Sequence, residues 1–244
     1  MCGIFAASIQ DIGSDQIETI KKILIETEIR GKHASGISWF SEGKVHTIKA
    51  SKPISELLEE FDIYRCVDEN NGHLSMIAHI RYSTSDANNN QPIIEPVKND
   101  NGDYEFNNDG GVGDFSIVHN GIITQSDPST WEDLFGLGQT YSSNDSELVY
   151  NSFNKGLHPL KELTESSMAV ATIDKRGMVH AFRNGSRPMW LTKTYNGIIA
   201  TSTSDIITRS GFEYSSHFKS IPGVDYNLSM ASKEVIVKNM EDLQ

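Results

Sequence analysis

Cysteine stands at position 2 of this chain, in the segment Met1-Cys2-Gly3-Ile4-Phe5, so removal of one methionine makes it N-terminal. A thiol is nucleophilic only as the thiolate, and because an unperturbed cysteine has a pKa of about 8.5 it needs a base near neutrality. An N-terminal cysteine carries that base, since a free α-amino group titrates at about 7.7 to 8.0. Cys2 is therefore a candidate nucleophile, and the alternative is that it simply begins a buried strand.

A nucleophile that attacks an acyl carbon also requires donors for the oxyanion that forms, and His119-Asn120-Gly121 offers them. This tripeptide ends an apolar segment that begins at Phe115. The Asn120 amide and the Gly121 N–H could donate to one oxygen there. The same residues are also typical of a plain Asn-Gly turn at the end of a strand, and both interpretations stay open on local evidence.

Two further residues have the charges needed to hold the head group of an α-amino acid. Arg81 lies in the segment 79–84, and a guanidinium group can bind a carboxylate through two parallel hydrogen bonds. Asp145, in the segment 144–147, could pair with an ammonium group. The alternatives are a surface ion pair for Arg81 and a helix N-cap for Asp145.

The segment Arg30-Gly31-Lys32-His33-Ala34-Ser35-Gly36 contains small residues that let the backbone pass close to the nucleophile. We expect Arg30 to hold the N-terminal segment in place, although the stretch could equally be a helix end. His33 is a weaker candidate for a catalytic base, because the α-amino group already supplies that function. Cys66 is expected to be an ordinary structural thiol.

The composition is that of a globular protein, with 244 residues of which 37% are hydrophobic and 22% charged. The formal net charge of −12 argues against nucleic acid or an anionic membrane as the main partner. The chain has two cysteines, so we expect no disulfide framework and a reducing, cytoplasmic location. No apolar run approaches the roughly 20 residues of a membrane span.

Strands predominate among the elements that must position these residues. Apolar and alternating patterns predict strands at residues 2–9, 36–40, 44–48, 74–82, 115–121, 167–174, 178–183, 188–192, 197–201, 224–230 and 234–237. Helices are predicted at residues 15–30, 53–61, 129–137 and 145–154, the first with a capping pair formed by Asp15 and Glu18. Because strands follow strands more often than they alternate with helices, we expect one α+β domain with much antiparallel sheet.

The segment 86–114 is rich in Asn, Asp and Gly, and it is predicted to be a long surface loop. Its oxygen-bearing side chains could suggest calcium. The regular acidic positions and terminal glutamate of an EF-hand are missing, however, so a solvated loop is the favoured interpretation.

The order of these motifs resembles that of the glutaminase domain of the class II glutamine amidotransferases, which are N-terminal-nucleophile hydrolases. Individual motifs are similar to the forms found in glucosamine-phosphate synthase and amidophosphoribosyltransferase. The segments that carry the resemblance are residues 1–5, 30–36, 79–84, 118–123, 144–148, 183–188 and 200–204. The sequence departs from the family at His33, where an acidic residue is common, and at Asp86, where glycine is usual.

The resemblance implies a four-layer αββα sandwich with the first strand in a central sheet. Cys2 would attack the side-chain amide of glutamine with its own α-amino group as general base, and Asn120 and Gly121 would stabilise the oxyanion. Arg30 would support the Cys2 segment. The residues implied to bind the substrate are Arg81, Thr84 and Asp145. The resemblance implies neither a metal nor a cofactor.

From the 244 residues we expect a glutaminase domain without a synthase domain beside it. We therefore expect a glutaminase that passes ammonia to a synthase on another chain. Two alternatives stay open, namely a hydrolase of another γ-glutamyl amide and an inactive module that binds or senses glutamine.

Overall fold

The structure, a computed structural model, describes residues 2–82, 97–98, 104–105, 115–140, 143–185 and 187–236. The strands in chain order are β1 (Gly3–Ile9), β2 (Ala34–Ser41), β3 (Lys44–Ala50), β4 (Val67–Asp68), β5 (His73–Arg81), β6 (Val97–Lys98), β7 (Tyr104–Glu105), β8 (Phe115–Ile122), β9 (Ser167–Asp174), β10 (Val179–Arg183), β11 (Trp190–Lys193), β12 (Gly197–Thr201), β13 (Ser216–Lys219), β14 (Val224–Asn227) and β15 (Ser232–Val235). The helices are α1 (Ser14–Thr27), α2 (Ile54–Glu60), α3 (Trp131–Phe135), α4 (Ser146–Asn154), α5 (Pro159–Glu162) and α6 (Ser204–Ser210). Short 3₁₀ turns lie at Glu28–Arg30, Ile63–Cys66 and Pro128–Thr130.

Two large sheets form the centre of the fold. The first has eight strands in the order β13-β11-β12-β1-β5-β2-β3, with β4 also paired to β5. The second has five strands in the order β15-β14-β10-β9-β8, so β8 lies at its edge. Each strand pairing in the described part of the chain is antiparallel.

Three apolar cores separate four layers. One core packs α1, α2 and α6 against the first sheet, and another packs α3, α4 and α5 against the second. The middle core joins the two sheets and contains Ile4 of β1, Ile77 of β5 and Val118 of β8. The predicted four-layer αββα sandwich with largely antiparallel sheets is confirmed.

Helix α1 lies where the sequence predicts it, but its N-terminus is capped differently from the prediction. Residues 17, 20, 24 and 27, which helical spacing places on one face, are buried in the structure. The predicted capping pair is wrong, because the N-cap is Gly13, whose N–H donates to the Gln16 side chain at 3.3 Å. Asp15 lies instead in the first turn, where its negative charge interacts favourably with the helix dipole.

Several short elements were not predicted from the sequence, namely α5, α6 and β13. The predicted loop at 86–114 lies outside the described residues, except for β6 and β7, which pair with each other. No described helix combines the length and the apolar character that crossing a membrane requires.

Candidate active site

The register of the first sheet brings Cys2 beside Arg81. Strands β1 and β5 pair with Gly3 opposite Ile80, so the next step along the register places Cys2 opposite Arg81. The Cys2 Sγ donates to the backbone carbonyl of Tyr82 at 3.6 Å. Alternate side chains of a strand share a face, and residues 4 and 77 face the second sheet. Cys2 and Arg81 therefore project from the first sheet toward the second.

The segment that follows α1 supports Cys2 from behind. Arg30 Nε donates to the Cys2 carbonyl at 3.4 Å. The Arg30 guanidinium is half-buried, and burial lowers its pKa while the Cys2 charge acts in the opposite direction. A Cβ atom on Gly31 would lie 2.5 Å from the Arg81 carbonyl, so a glycine is required where the chain passes β5. The structure thus places Arg30 against the Cys2 segment and Gly31 against the end of β5.

Asn120 projects from the second sheet toward the first. It lies two residues beyond Val118, whose side chain is in the core between the sheets, and its own side chain is 2% exposed. Its Nδ2 is buried and has no hydrogen-bond partner among the described residues. The same holds for Arg81 Nη1 on the facing sheet. Both sheets therefore present a buried donor that lacks an acceptor.

Gly121 directs its backbone N–H to the open edge of the second sheet. Gly121 is paired with Met168 of β9. The Met168 N–H donates to the Asn184 side chain, and the Met168 carbonyl accepts the Asn184 N–H, so both backbone groups of Met168 point away from β8. The pair is therefore a non-hydrogen-bonded one, in which both residues turn their backbone groups outward. Since β8 continues to Ile122, the interpretation of Asn-Gly as a plain turn is wrong.

Asp145 occupies the N-cap position of α4, but its side chain makes no capping bond. Its Oδ2 instead accepts the backbone N–H of Ile123 at 2.6 Å and that of Thr124 at 3.4 Å. The N–H of Ser146 is bonded by the Asn144 side chain at 3.1 Å. The capping interpretation of Asp145 is therefore wrong, because its carboxylate is held by the segment that follows β8.

A cleft of about 630 Å³ brings these groups together, within the usual size of small-molecule sites. Four of the residues predicted from the sequence line it, namely Cys2, Arg81, Gly121 and Asp145. Asn120 and Arg30 do not line the cleft. Thr84 lies outside the described residues.

Other residues of the site were not predicted from the sequence. His119 lines the cleft, and its Nδ1 lies 2.9 Å from Ser146 Oγ, which joins β8 to α4. Arg187 Nε donates to Ser167 Oγ at 2.7 Å, next to Gly121. His119 lies in segment 118–123 and Arg187 in segment 183–188, two of the segments that carry the family resemblance. Their position in those segments is the sequence signal that could have identified them. His33 is exposed and stacks on the Tyr82 ring with 4.9 Å between centroids, outside the cleft lining.

The two cysteines have different environments, and neither forms a disulfide. Cys2 is partly exposed at the cleft, whereas Cys66 is fully buried in the core beneath the first sheet. Burial raises the pKa of the Cys66 thiol well above its ordinary value, which leaves it un-ionised. Within the described ranges, no group of three or more His, Cys, Asp or Glu side chains could hold a metal ion.

Comparisons with known proteins show the fold. No family model and no curated protein matches this sequence. A Bacillus subtilis glutamine phosphoribosylpyrophosphate amidotransferase, solved with ADP and GMP, aligns over 98% of this chain with a TM-score of 0.68 and 17% identity. A structure described as the allosteric regulatory enzyme of purine biosynthesis aligns over 98% with a TM-score of 0.69 and 16% identity. The alignment covers 50% of each of those chains, so this chain spans about half their length.

A class-II glutamine aminotransferase domain protein from Silicibacter pomeroyi also has this fold. It aligns over 96% of this chain and 100% of its own, with a TM-score of 0.54 and 11% identity. This chain therefore has the fold of the class II glutamine amidotransferase domains.

Proposed function

We propose that this protein hydrolyses the side-chain amide of glutamine to glutamate and ammonia through a γ-glutamyl thioester on Cys2. The observation that carries the proposal is a pair of buried donors, Asn120 Nδ2 and Arg81 Nη1, which have no acceptor among the described residues. A buried donor left unsatisfied costs about 1–3 kcal/mol, so the retention of one donor in the cleft and one directly beside it favours a ligand that supplies acceptors. Glutamine has an acceptor oxygen at each end, the side-chain amide and the α-carboxylate.

The charges at the cleft fit the head group of an α-amino acid. Arg81 would bind the α-carboxylate, and the Asp145 carboxylate would bind the α-ammonium group. The Ile123 N–H fixes one Asp145 oxygen at 2.6 Å, and the other oxygen would take the ammonium. We keep Thr84 as a proposed substrate ligand on the basis of its motif alone.

The first half of the reaction would form the thioester and release ammonia. With Met1 removed, the α-amino group of Cys2 takes the thiol proton, and the thiolate attacks the amide carbon of glutamine. The carbonyl electron pair moves onto oxygen, where Asn120 Nδ2 and the Gly121 N–H donate to the oxyanion. When the intermediate collapses, the C–N bond breaks, and the nitrogen takes the proton from the α-ammonium group and leaves as ammonia.

The second half would regenerate the enzyme. The α-amino group takes a proton from water, and the resulting hydroxide attacks the thioester carbon. The C–S bond breaks, glutamate leaves, and the thiolate recovers its proton. Because the α-amino group acts as base and then as acid in each half, no histidine is needed for proton transfer.

The ammonia would be consumed by a synthase. This part of the proposal is supported by the fold, since structures that share it include an amidotransferase about twice as long as this chain. A synthase on another chain would be the acceptor, and the enzyme would work in a reducing, cytoplasmic compartment that keeps Cys2 as a thiol.

Glutamate release from glutamine tests the proposal directly. We expect the protein without Met1, verified by intact mass, to release glutamate and ammonia in equal amounts. Cys2→Ala should abolish the release, and Cys66→Ala, the matched control at the other thiol, should retain it. Glutamate release by Cys2→Ala, or by a protein that keeps Met1, would contradict the mechanism. Faster hydrolysis of another γ-glutamyl amide would instead support the alternative substrate class.

A further inference from the structure

We propose that Arg187 is a positioning residue for this site: it holds the start of β9 against Gly121 of β8, and its positive charge acts on the Arg30 that supports Cys2. The kinetic part of this inference rests on the proposed function. The ionisation of the thiol does not, because it can be measured without turnover.

The first observation is the hydrogen bond from Arg187 Nε to Ser167 Oγ at 2.7 Å. Ser167 begins β9 and pairs with Ile122 of β8. Its carbonyl oxygen lies directly against Gly121, because a Cβ atom built at that glycine would be 1.7 Å away. Arg187 is therefore bonded to the residue that sets the position of the Gly121 N–H.

The second observation is that Arg187 is held in place by a buried framework. Arg183, which is 4% exposed, donates through Nη1 to the Arg187 carbonyl at 3.1 Å and through Nη2 to the Ser220 carbonyl at 2.7 Å. The neighbouring Asn184 side chain accepts the Met168 N–H at 3.0 Å. The backbone at Arg187 is thus fixed to β9 rather than displayed on a free loop.

The third observation concerns charge. Arg30 donates to the Cys2 carbonyl at 3.4 Å, and burial lowers its pKa. The Cys2 charge opposes that shift, and the positive charge of Arg187 lowers the pKa further, so Cys2 and Arg187 each act electrostatically on Arg30. Two like charges placed together repel each other, and an anion beside them relieves that repulsion. The Cys2 thiolate is such an anion, and cations near a thiol favour its ionised form.

The test of the charge is the pH dependence of Cys2 alkylation by iodoacetamide, followed by peptide mass spectrometry. Arg187→Gln should raise the apparent pKa of the Cys2 thiol by about half a unit or more, whereas Arg187→Lys should stay near wild type. Arg176→Gln is the matched control, because Arg176 is 75% exposed and pairs with Asp174 away from the site. Buried Cys66 serves as an unreactive internal reference.

The test of the positioning is the kinetics of glutamine hydrolysis. Because Arg187 holds Ser167 through a charged hydrogen bond, Arg187→Gln should lower kcat by about tenfold or more with little change in KM. Ser167→Ala removes only the hydroxyl acceptor, so it should lower kcat while leaving the apparent pKa of the Cys2 thiol unchanged. Arg187→Lys should restore part of the lost kcat.

Each outcome decides the question. A wild-type thiol pKa and kcat in Arg187→Gln would overturn the inference. If that variant does not fold, a wild-type kcat in Ser167→Ala would overturn the positioning role. If the wild-type protein releases no glutamate, the proposed function fails, and the alkylation profiles still decide whether Arg187 controls the thiol.

Discussion

At the scale of single residues, the site is marked by two buried donors that have no acceptor in the described part of the chain. Most buried polar groups in proteins are paired, so two such donors on facing sheets, one lining the cleft and the other between two residues that line it, are unusual. The Asn120 amide lies on the second sheet and the Arg81 guanidinium on the first. A ligand with an acceptor for each would satisfy both, and this is the physical basis for the assignment of an amino-acid amide as substrate.

The Arg81 clamp gives the most direct prediction at this scale. Because a charged hydrogen bond contributes about 1.5–3 kcal/mol, Arg81→Ala should raise KM for glutamine by about 10- to 100-fold. The KM of Arg81→Lys should lie between those of the wild type and Arg81→Ala, since an ammonium group cannot form the paired bonds of a guanidinium. Steady-state kinetics with the exposed Arg65→Ala as control measure this effect. An unchanged KM in Arg81→Ala would rule out the carboxylate clamp.

The sequence was sufficient to predict what each side chain could do chemically. It was not sufficient to decide which of the possible roles each side chain has. The sequence left Asp145 open between an ammonium ligand and a helix N-cap. The contact that decides against the cap is with Ile123, which lies 22 positions earlier in the chain. Local sequence gives no information on such a contact, because it depends on how the end of β8 approaches α4.

At the scale of elements, the close approach of β8 and β9 explains the glycine beside Asn120. A side chain at position 121 would meet the Ser167 carbonyl, which is backbone and cannot rotate away. The proposed oxyanion role and a packing requirement therefore coincide at Gly121. The role needs the N–H on the open side of β8, and the packing needs the side that faces Ser167 to be bare.

Gly121→Ala should consequently impair both stability and catalysis. Overpacking of this kind costs about 1–3 kcal/mol. Displacement of an oxyanion donor should lower kcat by about 10²- to 10³-fold. Thermal unfolding and glutamate release measure the two effects. Gly13→Ser is the matched control, since a Cβ atom there has no neighbour within 4 Å. Wild-type kcat in Gly121→Ala would refute the role of this N–H.

The pairing of β10 with β14 carries a pH-dependent contribution to stability. His180 Nδ1 lies 3.0 Å from Asp225 Oδ2, and His158 Nε2 lies 3.7 Å from the same oxygen. Burial alone lowers the pKa of His180, but the hydrogen bond and charge of Asp225 outweigh it, so the pKa is raised. The stabilisation is therefore complete below the unfolded pKa of His180 and is lost as pH rises through its folded pKa.

Asp225→Asn should then lower the free energy of unfolding more at pH 6 than at pH 9. The difference follows from the raised pKa of His180, because the attraction between Asp225 and the imidazole is present only while the imidazole is protonated. Urea unfolding at both pH values measures it. The exposed Asp133→Asn serves as control and should show no such difference. An equal loss at pH 6 and pH 9 for Asp225→Asn would contradict the assignment.

The elements that the sequence did not reveal are short ones that depend on packing. Helix α6 has seven residues, and only Ile206, Ile207 and Ser210 are buried. A helix this short is unstable alone and forms because it packs on the first sheet beside α1. A helix of seven residues has too few turns for the helical spacing of its apolar residues to be recognised in the sequence. The long strands and α1 were predictable because their buried faces repeat over several residues.

At the scale of the whole molecule, the stacking of two sheets assembles the site from distant parts of the chain. Alternation along each strand was visible in the sequence, and it determines that Cys2, Arg81 and Asn120 share the space between the sheets. Which strands would be neighbours was not visible. The order of motifs could indicate the fold only through the resemblance, and the solved structures show the same fold at 11–17% identity.

The central claim is that the Cys2 thiol attacks the side-chain carbon of glutamine. A diazoketone analogue of glutamine carries an electrophilic carbon near that position, so labelling of the native protein followed by intact-mass and peptide mapping tests the claim most directly. We predict that Met1 is absent and that a single adduct forms on Cys2, slowed by excess glutamate and missing in Cys2→Ala. A protein that lacks Met1 and leaves Cys2 unlabelled, or that is labelled elsewhere instead, would contradict it.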